Sequence, residues 1–99
     1  MKCYIFTHSK ASYNTNLAKD YILTVHTEKA DAVQALKKQF NKTLQKTCLA
    51  PKLKEEIEQK FKENLLHGKF NYHFRDIADP EEPQYFGKIH TREVKTDEN

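Results

Sequence analysis

Residues 27–68 read TEKADAVQALKKQFNKTLQKTCLAPKLKEEIEQKFKENLLHG, and this stretch decides the fold. Ala30, Val33, Leu36, Phe40 and Leu44 recur at spacings of three and four, which puts them on one stripe of a helix. Thr27 stands in the N-cap position, with Glu28 and Asp31 in the first turn, where negative charge meets the positive end of the helix dipole. The spacing predicts a first helix over 28–46. Thr47, Cys48, Leu49 and Ala50 then form a short connector. Pro51 opens a second helix at the turn where a missing N–H costs nothing. Leu53, Ile57, Phe61 and Leu65 recur every four residues, and Gly68 follows where a helix commonly ends in left-handed backbone. The second helix is therefore expected to reach about residue 67. So short a connector implies an antiparallel helical hairpin.

Strands are expected on both sides of this pair. Upstream, Cys3, Tyr4, Ile5 and Phe6 make a β-prone run over 2–7, and residues 9–19 are polar and read as a loop. Over 20–26, Tyr21, Leu23 and Val25 alternate with Ile22, Thr24 and His26, the period of a strand. Downstream, Phe70, Tyr72 and Phe74 alternate with Asn71, His73 and Arg75 over 69–76. Residues 79–83, with two prolines, make a turn, and 85–94 read as a fourth strand. The result is an α+β chain in ββααββ order. It is expected to form one small domain over 1–95, an antiparallel sheet of about four strands packed on a helical hairpin, with a polar tail over 96–99.

Composition excludes several function classes. Ninety-nine residues carry 31% charged and 37% hydrophobic side chains, so the core must be thin and fully used. Two glycines cannot supply a phosphate-binding loop or a dinucleotide fingerprint. Two cysteines, Cys3 and Cys48, cannot by themselves build a zinc cage or a disulfide framework, and no histidine pair has metal-ligand spacing. No metal and no cofactor is expected. The first residues lack the apolar stretch of a secretory signal, and no apolar run approaches a membrane span, so the expectation is a cytoplasmic chain with no membrane partner. In that setting Cys3 and Cys48 are expected as reduced, buried thiols.

The two helices carry charge differently. Glu56 and Lys60, and Glu58 and Lys62, are i,i+4 pairs in the favourable order, and solubility accounts for them. In the first helix Lys38, Lys42 and Lys46 fall at four-residue spacing with Lys37 beside them and no interspersed acid. Like charges so spaced repel by a few tenths of a kcal/mol each. Such a ridge fits an acidic partner, protein surface or nucleic-acid backbone, although lysine is also a good helix former and a solvated lysine face would look the same. The net charge of +3 hides a division: residues 1–54 hold ten Lys+Arg and three Asp+Glu, residues 55–99 seven and eleven.

Period-two counting gives a second candidate surface. With Phe70, Tyr72 and Phe74 toward the helices, His73 and Arg75 face away. With Tyr85 and Ile89 inward, Phe86, Lys88, His90 and Arg92 face away as well. If Cys3 and Ile5, and Tyr21, Leu23 and Val25, also point inward, the open face gains Tyr4, Phe6, His8, Thr24 and His26. Aromatics with Arg and Lys suit a nucleic-acid platform. Two histidines with a cation suit metal-independent ribonuclease chemistry, one group taking the 2′-OH proton and another protonating the leaving oxygen. Polar strand faces also hold histidines with no chemistry attached, and a one-residue register error would scatter the cluster.

The ββααββ order and the Trp-free composition rich in Lys, Asn, Tyr and Phe resemble small accessory proteins of phages and mobile elements, with no motif from which a residue's role follows. With no complete catalytic motif, the leading expectation is a non-catalytic binding module. It would dock on a larger protein or protein–nucleic-acid complex and inhibit or adapt a nucleic-acid-processing machine. The residues expected at the contact are Lys37, Lys38, Lys42, Lys46, His73, Arg75, Lys88, His90, Arg92, Tyr4 and Phe6. Direct nucleic-acid binding, or ribonuclease activity on the His/Arg-rich face, is the alternative. Self-association through an open sheet edge is a third possibility.

Overall fold

In the computed structural model, which describes residues 1–11 and 18–94, the elements are β1 (Lys2–Ala11), β2 (Ala18–His26), α1 (Lys29–Lys46), α2 (Pro51–Leu66), β3 (Asn71–Arg75) and β4 (Gln84–Glu93). The order is the ββααββ read from periodicity, in an α+β fold. Part of the loop expected over 9–19 is strand, since β1 continues through residue 11 and β2 begins at 18. The rest of that loop, and the tail over 96–99, lie outside the described residues.

The helix ends follow local chemistry with one change. Glu28, in extended backbone, is the N-cap of α1 in place of Thr27, and no side chain caps it. At the other end Thr47 donates its hydroxyl to the Leu44 carbonyl at 2.7 Å, which satisfies a terminal acceptor. Pro51 opens α2 as expected. After α2, Gly68 takes φ +74°, and the Lys69 and Gly68 amides return to the carbonyls of Asn64 and Leu65.

The sheet is wholly antiparallel, in the order β2-β1-β4-β3. Two hairpins join along β1 and β4, so the first and last strands are central and β2 and β3 are the edges. α1 packs on β1, β4 and β2, and α2 packs on β3, all on one face. The core between the layers gathers Phe6, Leu36, Phe40, Leu44, Leu49, Phe61, Tyr72 and Phe74. Phe40 is its hub: the ring stacks on Phe61 at 4.0 Å and meets Tyr72 and Phe74 edge-on at 5.3 and 5.6 Å. One aromatic from α1 thereby ties α2 and β3 together.

Strand parity corrects part of the sequence reading. Phe6 is 2% exposed and His8 4%, both under the helices, so Cys3 and Ile5 face away from the core instead of toward it. Register carries this across the sheet. Tyr4 pairs with His26, Phe6 with Thr24 and His8 with Ile22, so all of these share the covered face. Tyr21, Leu23 and Val25 consequently point away from the helices and are exposed. For β3 and β4 the expected parity is the observed one: Tyr72 and Phe74 are buried, and Gly87, Tyr85 and Ile89 share their face.

A buried carboxylate fastens the connections. Asp76, 2% exposed, accepts the Cys48 amide at 3.0 Å and the Ala78 amide at 3.2 Å. It links the α1–α2 connector to the turn before β4. Cys48 itself is exposed and Cys3 half-buried, so neither is the fully buried thiol expected.

Candidate functional site

Among the described residues, no element lies over the face of the sheet turned away from the helices. The shortest dimension of the molecule is 17 Å, which accommodates one sheet and one helix layer. Reading this face by register gives rows that cross the strands: Val25, Ile5 and His90; then Leu23, Thr7, Lys88 and Asn71; then Ser9, Phe86 and His73. Arg92 lies beside Cys3 at one end, and Arg75 beside Gln84 at the other. The surface therefore has two parts. One is apolar, formed by Tyr21, Leu23 and Val25, each more than half exposed, with Ile5 next to them. The other is basic, formed by Lys88, Arg92 and Arg75 with His73 and His90. No carboxylate stands on this face of β1, β3 or β4 among the described residues.

Local contacts order the basic part. His73 donates from Nε2 to Oε1 of Gln84 at 3.0 Å and stacks on Phe86 with ring centroids 4.4 Å apart and planes 12° from parallel. Neighbouring strands are about 4.8 Å apart. Two parallel rings at nearly that spacing, on adjacent strands, stand upright from the sheet and turn a face to each other. They do not lie flat as a base-stacking platform requires. Near the middle, the Thr7 hydroxyl is 3.4 Å from Nε2 of His90.

The residues read as one contact set fall into separate places. His73, Arg75, Lys88, His90 and Arg92 do share the open face. Phe6 is in the core and Tyr4 is half-buried on the helix side, so neither belongs to that face. The lysine ridge is divided by the 40° that accumulates over each four-residue step of a helix. Lys38 points to solvent, Lys42 and Lys46 drift toward the β1–β2 side, and Lys37 borders a groove between the helices. His8 and His26 leave the expected histidine cluster for the covered face.

The two histidines of this face stand apart along the sheet. His73 is opposite Phe86, and His90 is four residues further along β4, roughly 13 Å away at ~3.3 Å per residue. A base and an acid acting on one phosphodiester must each come within about 3 Å of its own oxygen. Among the described residues, no three His, Cys, Asp or Glu side chains are grouped to hold a metal ion, and no helix is long and apolar enough to cross a membrane.

Three features were not anticipated. The apolar column on β2 faces outward although it is the more hydrophobic of the two parities. A row across the covered face joins Tyr72, Gly87 and His8, with the Tyr72 hydroxyl 2.6 Å from Nδ1 of His8. A recess beside that row collects lysines from two elements. A glycine inside β4 was the sequence signal available for the row, because a strand glycine marks a close approach. Compared with protein-family models, with curated proteins and with solved structures, the chain matches none.

Proposed function

We propose that this chain is a small non-catalytic binding module that docks on a larger protein through the open face of its sheet, and thereby inhibits or adapts that protein. The observation that carries the reading is an acid-free basic strip lying beside an exposed apolar column, on a sheet face that no described element covers. Exposed apolar surface of this kind, bordered by charge, is the composition of a protein interface: an apolar centre with a polar rim. The basic side selects a partner whose contact patch is acidic. Enzymes that process nucleic acids with divalent metals hold them in carboxylate clusters, and the strip has the charge to engage such a cluster.

The upright His73–Phe86 pair favours a protein over a single-stranded nucleic acid as the occupant. Base stacking needs exposed ring faces, and these two rings spend one face each on the other. The test is affinity capture on immobilised protein from nuclease-treated cell lysate, alongside gel-shift and RNA-cleavage assays at about 50 mM salt. A stoichiometric protein that survives nuclease treatment, with no RNA or DNA shift and no cleavage in EDTA, is the expected result. Capture that disappears with the nucleic acid, or a shift of single-stranded RNA by the purified protein, would overturn the reading.

A further inference from the structure

On the covered side of the sheet, away from the docking face, α1 and the β1–β2 hairpin enclose a recess of about 260 Å³. Lys42 and Lys46, one turn apart on α1, form one wall, and Lys10 on β1 stands across from them. No carboxylate lines the recess among the described residues, and none of these three ammonium groups is in an ion pair there. The contrast with α2 is direct, where Lys62 meets Glu58 at 3.2 Å. Three unneutralised cations around one depression repel one another, and an anion placed among them would remove that repulsion.

The remaining walls are of a different character. Tyr85 is directly opposite Lys10 in register, and the Lys10 ammonium lies 5.9 Å from its ring centroid. Ile22 supplies an aliphatic surface beside it. Thr43 borders the recess from α1 and is held by the Gln39 amide, which donates to its hydroxyl at 3.0 Å. His8, whose ring stacks on Tyr85 with centroids 6.2 Å apart, completes the lining, so the recess has a cationic side and a mixed aromatic and aliphatic side, at a volume just below that of pockets for drug-sized ligands.

We infer that this recess is a binding site for a phosphate monoester, with the phosphate among Lys10, Lys42 and Lys46 and the organic group against Ile22 and Tyr85. A phosphate monoester carries about −1.5 to −2 at neutral pH, which matches three lysines with no acid among the described residues of the lining, and lysine binds phosphate as a point charge. Free nucleotides and the 5′-phosphorylated end of a nucleic acid both present this chemistry. The inference is independent of the docking face, which uses other residues on the opposite side of the sheet.

The experiment is an NMR titration of the isotopically labelled full chain with inorganic phosphate, adenosine, adenosine 5′-monophosphate, and a short oligonucleotide with and without a 5′-phosphate. Saturable shifts at Lys10, Gln39, Thr43 and Tyr85 are expected with the monophosphate and not with adenosine. The Lys42→Ala/Lys46→Ala double variant, altered only at exposed positions, should weaken binding by at least about tenfold with an unchanged melting temperature. Lys88→Glu should leave it unaltered. Tighter binding of the mononucleotide assigns the ligand to the free pool, and tighter binding of the phosphorylated oligonucleotide over its unphosphorylated form assigns it to nucleic-acid ends. Equal binding of adenosine and its monophosphate, or no saturable shift with any phosphate, would overturn the site, as would binding undiminished in the double variant.

Discussion

Tyr72, Gly87 and His8 occupy one row on three adjacent strands, and the middle position can only be glycine. The Tyr72 ring lies over Gly87, where a Cβ would fall onto the ring, and this lets its hydroxyl reach His8 two strands away. Gly87→Ala must push the ring aside and is expected to cost about 2–3 kcal/mol, from overpacking together with the lost hydrogen bond, measured by urea denaturation. Burial holds the Tyr72 phenol protonated well above its ordinary range, and the neutral hydroxyl shares a hydrogen bond with Nδ1 of His8. Tyr72→Phe removes this buried hydrogen bond, a loss of about 1–3 kcal/mol at neutral pH. The pH dependence has a definite sign. The unfolded chain ionises this phenol near pH 10 while the folded chain keeps its proton, so the contribution of Tyr72 is complete below pH 10 and falls as pH rises above it. The deficit of Tyr72→Phe against wild type is therefore expected to shrink above pH 10, by up to about 1.4 kcal/mol per pH unit. A deficit constant from pH 7 to 11 would contradict the buried, protonated phenol.

Edge strand β2 is the element whose orientation carries the functional argument. Ile22 packs against the core, whereas Leu23 and Val25 project from the open face. Ile22→Ser is expected to cost about 2–3 kcal/mol, and Leu23→Ser or Val25→Ser less than about 1 kcal/mol, in thermal or urea melts. The reverse ranking would mean that the register is shifted by one residue. The same strand shows where the sequence was legible and where it was not. α1 and α2 each have one apolar stripe, so Leu36, Phe40 and Phe61 had a single face to take, and Gly68 marked its helix end. β3 alternates cleanly between Tyr72 or Phe74 and His73 or Arg75, so its half of the candidate surface was readable. β1 and β2 are apolar on both parities, and hydrophobicity selects the wrong one, sending Phe6 outward and Leu23 inward. Their orientation is set by long-range pairing, Phe6 under α1 and Ile22 opposite His8, which no local pattern contains. The lysine ridge was read correctly as acid-free, but its direction depends on where Phe40 anchors α1.

At the scale of the whole molecule, two layers leave one sheet surface without a partner among the described residues. The domain buries Phe6, Phe40, Phe61, Tyr72 and Phe74 on the other side and keeps Tyr21, Leu23 and Val25 beside a basic strip in contact with water. That exposure is unfavourable for an isolated domain and is relieved when the face is covered. The mild net charge of +3 likewise conceals two separate basic regions: Lys88, Arg92 and Arg75 on the open face, and Lys10, Lys42 and Lys46 around the recess on the covered side. They are too far around the molecule to serve one ligand, so charge reversal separates their roles. The decisive measurement is quantitative capture of the protein partner by three forms of the chain: wild type, Lys88→Glu/Arg92→Glu, and Lys42→Glu/Lys46→Glu, each first shown to melt like wild type. The docking account predicts that the β4 variant loses at least about tenfold in partner affinity while the α1 variant retains it. Full retention by the β4 variant, or loss confined to the α1 variant, would contradict it.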